Sequence, residues 1–149
     1  EQVTYILSQS GTDSEQEKAQ LEELERQVAR VKDPSLSKAV PAKDLPLGIP
    51  AAYWLDLRGY NPAEVAESLR QPMLILQGER DYQVTTEDFV GWQKGLAGRS
   101  NVQFKLYPKL NHLFLEGEGQ ITPAEYAIAG EVATYVLDDI ATWIKTTAP

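Results

Sequence analysis

An apolar run that ends in charged residues constrains the fold of this chain more than any other feature. Residues 72–78 read PMLILQG, and the charged triplet ERD follows at residues 79–81. Apolar residues that are continuous, rather than alternating with polar ones, are typical of a parallel strand buried on both faces. We therefore predict such a strand at residues 73–77, with Asp81 at its carboxyl end.

A second strand is predicted further along the chain. Residues 102–107 read VQFKLY, which alternates apolar and polar side chains as a strand nearer a sheet edge does. Pro108 closes this strand, and His112, the only histidine of the chain, follows it. A helical pattern with Phe89, Trp92 and Leu96 on one side separates the two strands. The order strand, helix, strand predicts part of a parallel α/β sheet.

The remaining segments are predicted to be mostly helical. A helix from Thr12 to Val31 has Asp13 or Ser14 as its cap, and a proline-rich ordered loop spans residues 34–50. Further predicted elements are a segment rich in large apolar groups at residues 51–57, a short helix from Asn61 to about Leu69, and a long helix from Pro123 to Lys145 with Val132, Tyr135, Val136, Ile140, Trp143 and Ile144 as its apolar stripe.

Composition excludes several classes of partner and site. A net charge of −8 argues against nucleic acid and anionic membranes as partners. No apolar stretch approaches the roughly 20 residues that a bilayer requires. The chain has no cysteine and one histidine, so we expect no disulfide, thiol nucleophile or multi-histidine metal site. Its first residues do not resemble a signal peptide, and we expect the start to be internal to a longer protein, which leaves cytoplasm and secretion both open.

Asp81 and His112 are the candidate catalytic residues. Alone, Asp81 would be a turn former or a helix cap, and His112 a structural or surface residue. Both are predicted to lie beyond the carboxyl ends of consecutive strands, where open α/β sheets place their ligands. A carboxylate fixes the tautomer of an imidazole that acts as general base and stabilises the imidazolium that forms. No Gly-x-Ser-x-Gly occurs in the chain, so the nucleophile of such a triad is missing.

Two stretches resemble the α/β-hydrolase family. Residues 72–84, PMLILQGERDYQV, look like its penultimate strand and acid turn, and residues 106–114, LYPKLNHLF, look like its last strand and histidine loop. The similarity is closest to bacterial serine hydrolases of the dienelactone hydrolase and serine aminopeptidase kind. It implies that Asp81 is the triad acid and His112 the triad base, with no cofactor. The nucleophile elbow, the oxyanion-hole loop and the earlier strands of the family are absent.

The resemblance also implies a domain division and a substrate pocket. Residues 1–70 correspond to a helical cap over the active site, and residues 71–149 to the last two strands of the parallel sheet with their flanking helices. Tyr82 would line the loop after the acid. Tyr53 and Trp54 could form an aromatic wall of an acyl pocket, although plain packing is the more usual role of such aromatics.

We therefore expect the C-terminal part of a serine hydrolase that acts on a small-molecule ester or amide. Without its nucleophile this chain is expected to be inactive alone and to need its N-terminal half. The alternative is a non-catalytic binding or assembly module, which would form a homodimer through its exposed sheet edges. A free-standing flavodoxin-like α/β protein is less consistent with the sequence, because neither a glycine-rich phosphate loop nor a third strand is visible.

Overall fold

The computed structural model describes residues 2–9 and 14–147, in two compact units. The strand unit combines Glu1–Gln9 with Pro62–Pro149, and the helical unit is Ser10–Asn61. The helices are α1 (Gln2–Gln9), α2 (Glu15–Lys32), α3 (Ala51–Leu57), α4 (Pro62–Glu67), α5 (Thr86–Gly95) and α6 (Thr134–Thr147); the strands are β1 (Met73–Gly78) and β2 (Val102–Tyr107); and 3₁₀ turns lie at Ala42–Asp44, Pro46–Gly48 and Pro123–Ala127.

The two strands pair in parallel, as the sequence predicts. Their register runs from Met73 opposite Val102 to Gly78 opposite Tyr107. Burial increases along β1, from half-buried residues at its start to buried Gln77 and Gly78 at its end. The expectation of burial along the whole strand is therefore met only at its carboxyl end, because β2 is the one strand that pairs with β1 within the part of the chain that the structure describes.

Helix α5 is the connection between β1 and β2, and it packs against the strand pair. Thr85 caps its first turn reciprocally with Asp88, which satisfies backbone donors that the helix itself leaves free. Phe89 is buried and meets Phe104 of β2 edge to face, with ring centroids 5.9 Å apart. Leu96, at the end of the helix, is 1% exposed, which confirms the predicted apolar side of this helix.

The long helix predicted from Pro123 to Lys145 is wrong in its first half. Only a 3₁₀ turn forms at Pro123–Ala127, and α6 begins at Thr134. Between them the Ala133 amide donates to the Phe114 carbonyl oxygen at 3.0 Å, a partner outside any helix. Val132, expected in the apolar stripe, precedes α6 and is exposed, whereas Val136 is buried. A contact distant in sequence therefore sets the start of this helix.

The helical unit is built around the end of α2. Ser14 caps α2 in a reciprocal box with Glu17, whereas Asp13, the other cap candidate, lies outside the described residues. Its core contains Leu36, Leu45 and Ala51, and Val31 packs against this cluster. The proline-rich segment is ordered and carries two of the 3₁₀ turns. Within residues 2–9 and 14–147, no helix combines the length and the apolar character that crossing a membrane requires.

Candidate functional site

The turn after β1 holds the carboxylate of Asp81 in one orientation. This side chain is buried, and its Oδ1 accepts the backbone N–H groups of Gln83 at 2.8 Å and Val84 at 3.0 Å. An aspartate that bonds amides two and three residues ahead forms a local turn of its own. Because Oδ1 is engaged in this way, Oδ2 is the oxygen that faces a partner from another element.

That partner is His112. Its Nδ1 lies 2.8 Å from Oδ2 of Asp81, and its side chain is 39% exposed while that of Asp81 is 6% exposed. An ionised carboxylate can only accept hydrogen bonds, so Nδ1 of the imidazole carries the proton in this pair. The contact leaves Nε2 as the ring nitrogen that does not face Asp81, and an imidazole can exchange a proton at that atom. The structure thus brings together the two residues that the sequence selects as candidate acid and base.

A buried asparagine shapes the turn that carries His112. Asn111 is 2% exposed, and its Oδ1 accepts the amides of Leu113 at 2.9 Å and Leu115 at 3.1 Å. Its own amide donates to the Leu115 carbonyl oxygen at 3.1 Å. Phe114 completes the turn with φ 57°, in the left-handed region that non-glycine residues seldom adopt. The tight turn fixes where the imidazole stands relative to the end of β1.

Glycine at the end of β1 allows this turn to approach. A Cβ placed on Gly78 would overlap the Leu110 carbonyl oxygen and lie 2.8 Å from that of Asn111. No larger residue fits between β1 and the backbone that leads into His112. The sequence signal for this close approach is a glycine directly after a strand and three residues before a candidate acid, and the sequence reasoning did not use it.

Gln77 also supports the acid turn, a role that the sequence reasoning missed. It is 7% exposed, and its Nε2 donates to the carbonyl oxygens of Gly78 and Val84, both at 2.9 Å. These bonds tie the two ends of the turn that contains Asp81. An amide side chain within an otherwise apolar strand is the signal that could have identified it, because a buried polar group needs hydrogen-bond partners.

Tyr82 lines a different cleft from His112. Its ring stacks on Tyr5 of α1, with centroids 4.7 Å apart, and it borders a cleft of about 810 Å³ that Asp81 also lines. His112 borders a smaller cleft of about 190 Å³, again with Asp81. Burial raises the pKa of the Tyr82 hydroxyl, and the neighbouring Tyr126, Tyr5 and Asp81 add to this. Its predicted contact with substrate stays a prediction.

Tyr53 and Trp54 lie on α3 in the helical unit. Their rings meet edge to face, with centroids 5.4 Å apart. Trp54 donates from Nε1 to the Ile49 carbonyl oxygen at 3.2 Å and packs against the core of that unit. Tyr53 is 51% exposed. Trp54 therefore has a packing role in its own unit, and the substrate-binding role of both aromatics stays a prediction.

No metal-ligand cluster accompanies the pair in the described ranges. Across residues 2–9 and 14–147, no three histidine, cysteine or acidic side chains converge on a point where they could hold a metal ion. In the same ranges Asp81 is the hydrogen-bond partner of the His112 ring.

The fold and this site describe a mixed α/β protein with a carboxylate–imidazole pair at the carboxyl ends of parallel strands. The chain is similar to Esterase EstD of Thermotoga maritima, with 47% identity over 107 residues that cover 72% of this chain and 26% of that protein. It thus spans about a quarter of the length of the relative it matches. No family model and no solved structure matches the chain. The similarity relates the chain to an esterase.

Proposed function

We propose that this chain supplies the acid and the base of a serine hydrolase that cleaves esters of small acyl groups. Asp81 orients His112, and His112 moves the proton. The nucleophile is a serine outside these 149 residues, brought to Nε2 of His112 by the rest of the protein. The observation that carries the proposal is the 2.8 Å contact between Nδ1 of His112 and Oδ2 of Asp81. The similarity to an esterase supports it independently.

The reaction follows from this arrangement. Nε2 of His112 takes the proton from the serine hydroxyl while the serine oxygen bonds to the ester carbonyl carbon. The imidazolium then gives this proton to the departing alcohol, which leaves an acyl-enzyme. Water repeats the sequence, losing its proton to Nε2 and releasing the acid and the free serine. Asp81 stays ionised throughout and stabilises the imidazolium at Nδ1. An amide would react in the same way, with an amine as the leaving group.

The proposal includes a family and a division of labour. We assign the strand pair with α5 and α6 to the end of an α/β-hydrolase sheet, and the residues before it to a cap. The helical unit, Ser10–Asn61, is the part of the chain that fits the cap assignment best, because it is compact and contains no strand in its described residues. Tyr53, which is 51% exposed on this unit, stays a candidate for contact with the acyl group, as the sequence predicts.

The test uses the full-length protein that contains this chain. We expect hydrolysis of p-nitrophenyl acetate and butyrate, and labelling of one serine by a fluorophosphonate probe. H112A and D81N should each lower kcat by about 1,000-fold or more while the protein stays folded. Leu113→Ala, which truncates an exposed side chain next to His112, is the matched control and should leave kcat unchanged. Near-normal turnover in either site variant would remove that residue from the mechanism.

One observation favours the alternative of an assembly module. The sheet that the described residues form has two strands, so each strand has one edge without a strand partner there. Such edges pair readily with another chain. A dimer of the 149-residue chain in light scattering, together with a full-length protein that neither hydrolyses esters nor reacts with the probe, would support this alternative. A folded monomer would exclude it.

A further inference from the structure

The backbone of Arg80 bonds to the segment that leads into His112. This residue lies between Gly78 and Asp81 in the acid turn, and its amide donates to the Leu110 carbonyl oxygen at 3.0 Å. Leu110 is fully buried and immediately precedes the Asn111–His112 pair. The residue next to the candidate acid is therefore bonded directly to the segment that delivers the candidate base.

The side chain of Arg80 holds the segment that leaves the histidine turn. Its Nε donates to the Gly119 carbonyl oxygen at 3.0 Å, and its Nη2 donates to that of Glu118 at 3.2 Å. Nη2 also pairs with Oε1 of Glu125 at 2.6 Å, on the 3₁₀ turn that follows. The side chain is 8% exposed. The planar guanidinium offers donors in a fixed fork, so one residue bonds two successive carbonyls and a carboxylate at once.

The guanidinium also packs against the base of the histidine turn. The amide of Gly117 donates to the Lys109 carbonyl oxygen at 3.0 Å, which closes that turn. A Cβ on Gly117 would lie 2.6 Å from Cζ of Arg80, so only glycine leaves room for the buried guanidinium. Nη1 of Arg80 is buried without a hydrogen-bond partner among the described residues, which carries a desolvation cost.

We propose that Arg80 is a positioning residue that sets the distance between Asp81 and His112. Its backbone fixes the segment entering the histidine turn, and its side chain fixes the segment leaving it. Asp81 is the next residue along the chain. Arg80 therefore holds the position of Asp81 relative to the turn that carries His112. The inference rests on the proposed function for its catalytic meaning, whereas the geometry that it predicts is measurable without turnover.

The first experiment follows the tautomer of His112 by ¹⁵N NMR in this chain, where the signal is unambiguous because His112 is the only histidine. In the unaltered chain we expect the Nδ1–H tautomer, because Asp81 accepts that proton. Arg80→Gln and Arg80→Lys should both populate the Nε2–H tautomer as well. Lysine keeps the positive charge but lacks the planar set of donors of a guanidinium, so it should not restore the original spectrum.

Arg99 provides the matched control. Its guanidinium also bonds backbone carbonyls, those of Ala66, Glu67 and Leu69 around the end of α4, and it lies in the same unit. Arg99→Gln should lower the stability of the strand unit through lost hydrogen bonds and leave the His112 tautomer as it was. A shift of equal size in this control would mean that any loss of stability disturbs His112, and it would overturn the assignment.

Gly117→Ala tests the contacts of the Arg80 side chain without a substitution at Arg80 itself. The added Cβ must displace the guanidinium, so the His112 spectrum should change in the same direction as in Arg80→Gln. In the Arg80→Gln background the alanine should add much less, because the group that it displaces is already gone. If Arg80→Gln does not fold, Gly117→Ala and Arg80→Lys decide the question. Unchanged spectra in both would sink the proposal.

The kcat and KM of variants of the full-length protein test whether Arg80 affects catalysis. Arg80→Lys should lower kcat by roughly 10- to 100-fold with KM nearly unchanged, because a shift of about 1 Å in a catalytic group has an effect of this order. An active enzyme whose kcat is insensitive to Arg80 would overturn the inference and leave the proposed function standing. A protein without hydrolase activity whose His112 tautomer still depends on Arg80 would reject the proposed function and keep the positioning role.

Discussion

Gly78 and Leu110 lie in direct backbone contact, at the point where the end of β1 meets the segment that leads into His112. A Cβ on Gly78 would overlap the Leu110 carbonyl oxygen and lie 2.8 Å from that of Asn111. Both of these are backbone atoms, which cannot rotate away as the tip of a side chain can. The separation of β1 from the histidine turn is therefore set by the absence of a side chain.

Gly78→Ala should move the histidine turn away from Asp81. We expect kcat of the full-length protein to fall by about 100-fold, since displacement of a catalytic group by about 1 Å has an effect of this size. Gly91→Ala is the control, because nothing lies within 4 Å of a Cβ at that position of α5. Alanine in a helix interior should raise stability by about 0.5–1 kcal/mol and leave kcat unaltered. Equal kcat values for Gly78→Ala and the unaltered enzyme would contradict the close approach.

Asn111→Ala should destabilise the strand unit. The substitution leaves the amides of Leu113 and Leu115, which are part-buried, without the oxygen that they share, and an unsatisfied donor that is fully buried costs about 1–3 kcal/mol. Urea unfolding should therefore show a loss of about 2–4 kcal/mol. Leu113→Ala truncates an exposed side chain of the same turn and should change stability by less than about 0.5 kcal/mol. Similar losses in the two variants would mean that the asparagine oxygen does not hold the turn.

Asp139 of α6 makes stability depend on pH. Its Oδ2 accepts the Tyr107 hydroxyl at 2.8 Å and pairs with Lys105. Lys105, followed by the Tyr107 hydroxyl, lowers the pKa of Asp139 below its ordinary value of 3.8. A lowered folded-state pKa means that the charged form stabilises the fold above pH 3.8 and that this contribution disappears as pH falls through the folded pKa.

Asp139→Asn measures this contribution. Urea unfolding at neutral pH should show the variant to be less stable, and the difference should shrink as pH falls from 3.8 through the lower pKa of the folded state, where the unaltered carboxyl becomes neutral too. High salt should reduce the difference at neutral pH as well, since the Lys105–Asp139 pair is partly exposed. A difference that stayed constant from neutral to strongly acidic pH would show that the charge of Asp139 is not involved.

The stacking of Tyr5 on Tyr82 gives a test of the position of α1. Burial raises the pKa of the Tyr82 hydroxyl because the phenolate is disfavoured away from water. Tyr5→Ala uncovers the ring and should bring that pKa down towards its ordinary value of 10.0. Titration of ¹³C-labelled tyrosine by NMR measures the shift, and Tyr60→Ala, which removes an exposed tyrosine of the other unit, is the control. An unmoved Tyr82 titration would place α1 elsewhere in solution.

Local patterns in the sequence were sufficient to predict the elements that carry the pair. Both strands lie within one residue of where their patterns place them, and the parallel pairing brings Asp81 and His112 into contact as expected. The catalytic roles of these residues, and the substrate contacts of Tyr53, Trp54 and Tyr82, stay predictions.

Distant contacts explain what the sequence did not reveal. The start of α6 depends on an amide bonded to Phe114, and the role of Arg80 depends on carbonyls 38 and 39 positions away. Backbone carbonyls have the same chemistry in every residue, so no side-chain pattern indicates which of them an arginine will bond. The sequence analysis therefore does not single out Arg80, and it predicts no helix at the position of α1.

The self-contained support of His112 has a consequence for the entropy of ordering its ring. Every contact described for the pair, from Gln77 to Glu125, comes from residues of the strand unit. The entropy of fixing the imidazole is therefore lost when this unit folds, so any group that binds to this ring meets an orientation that is already set.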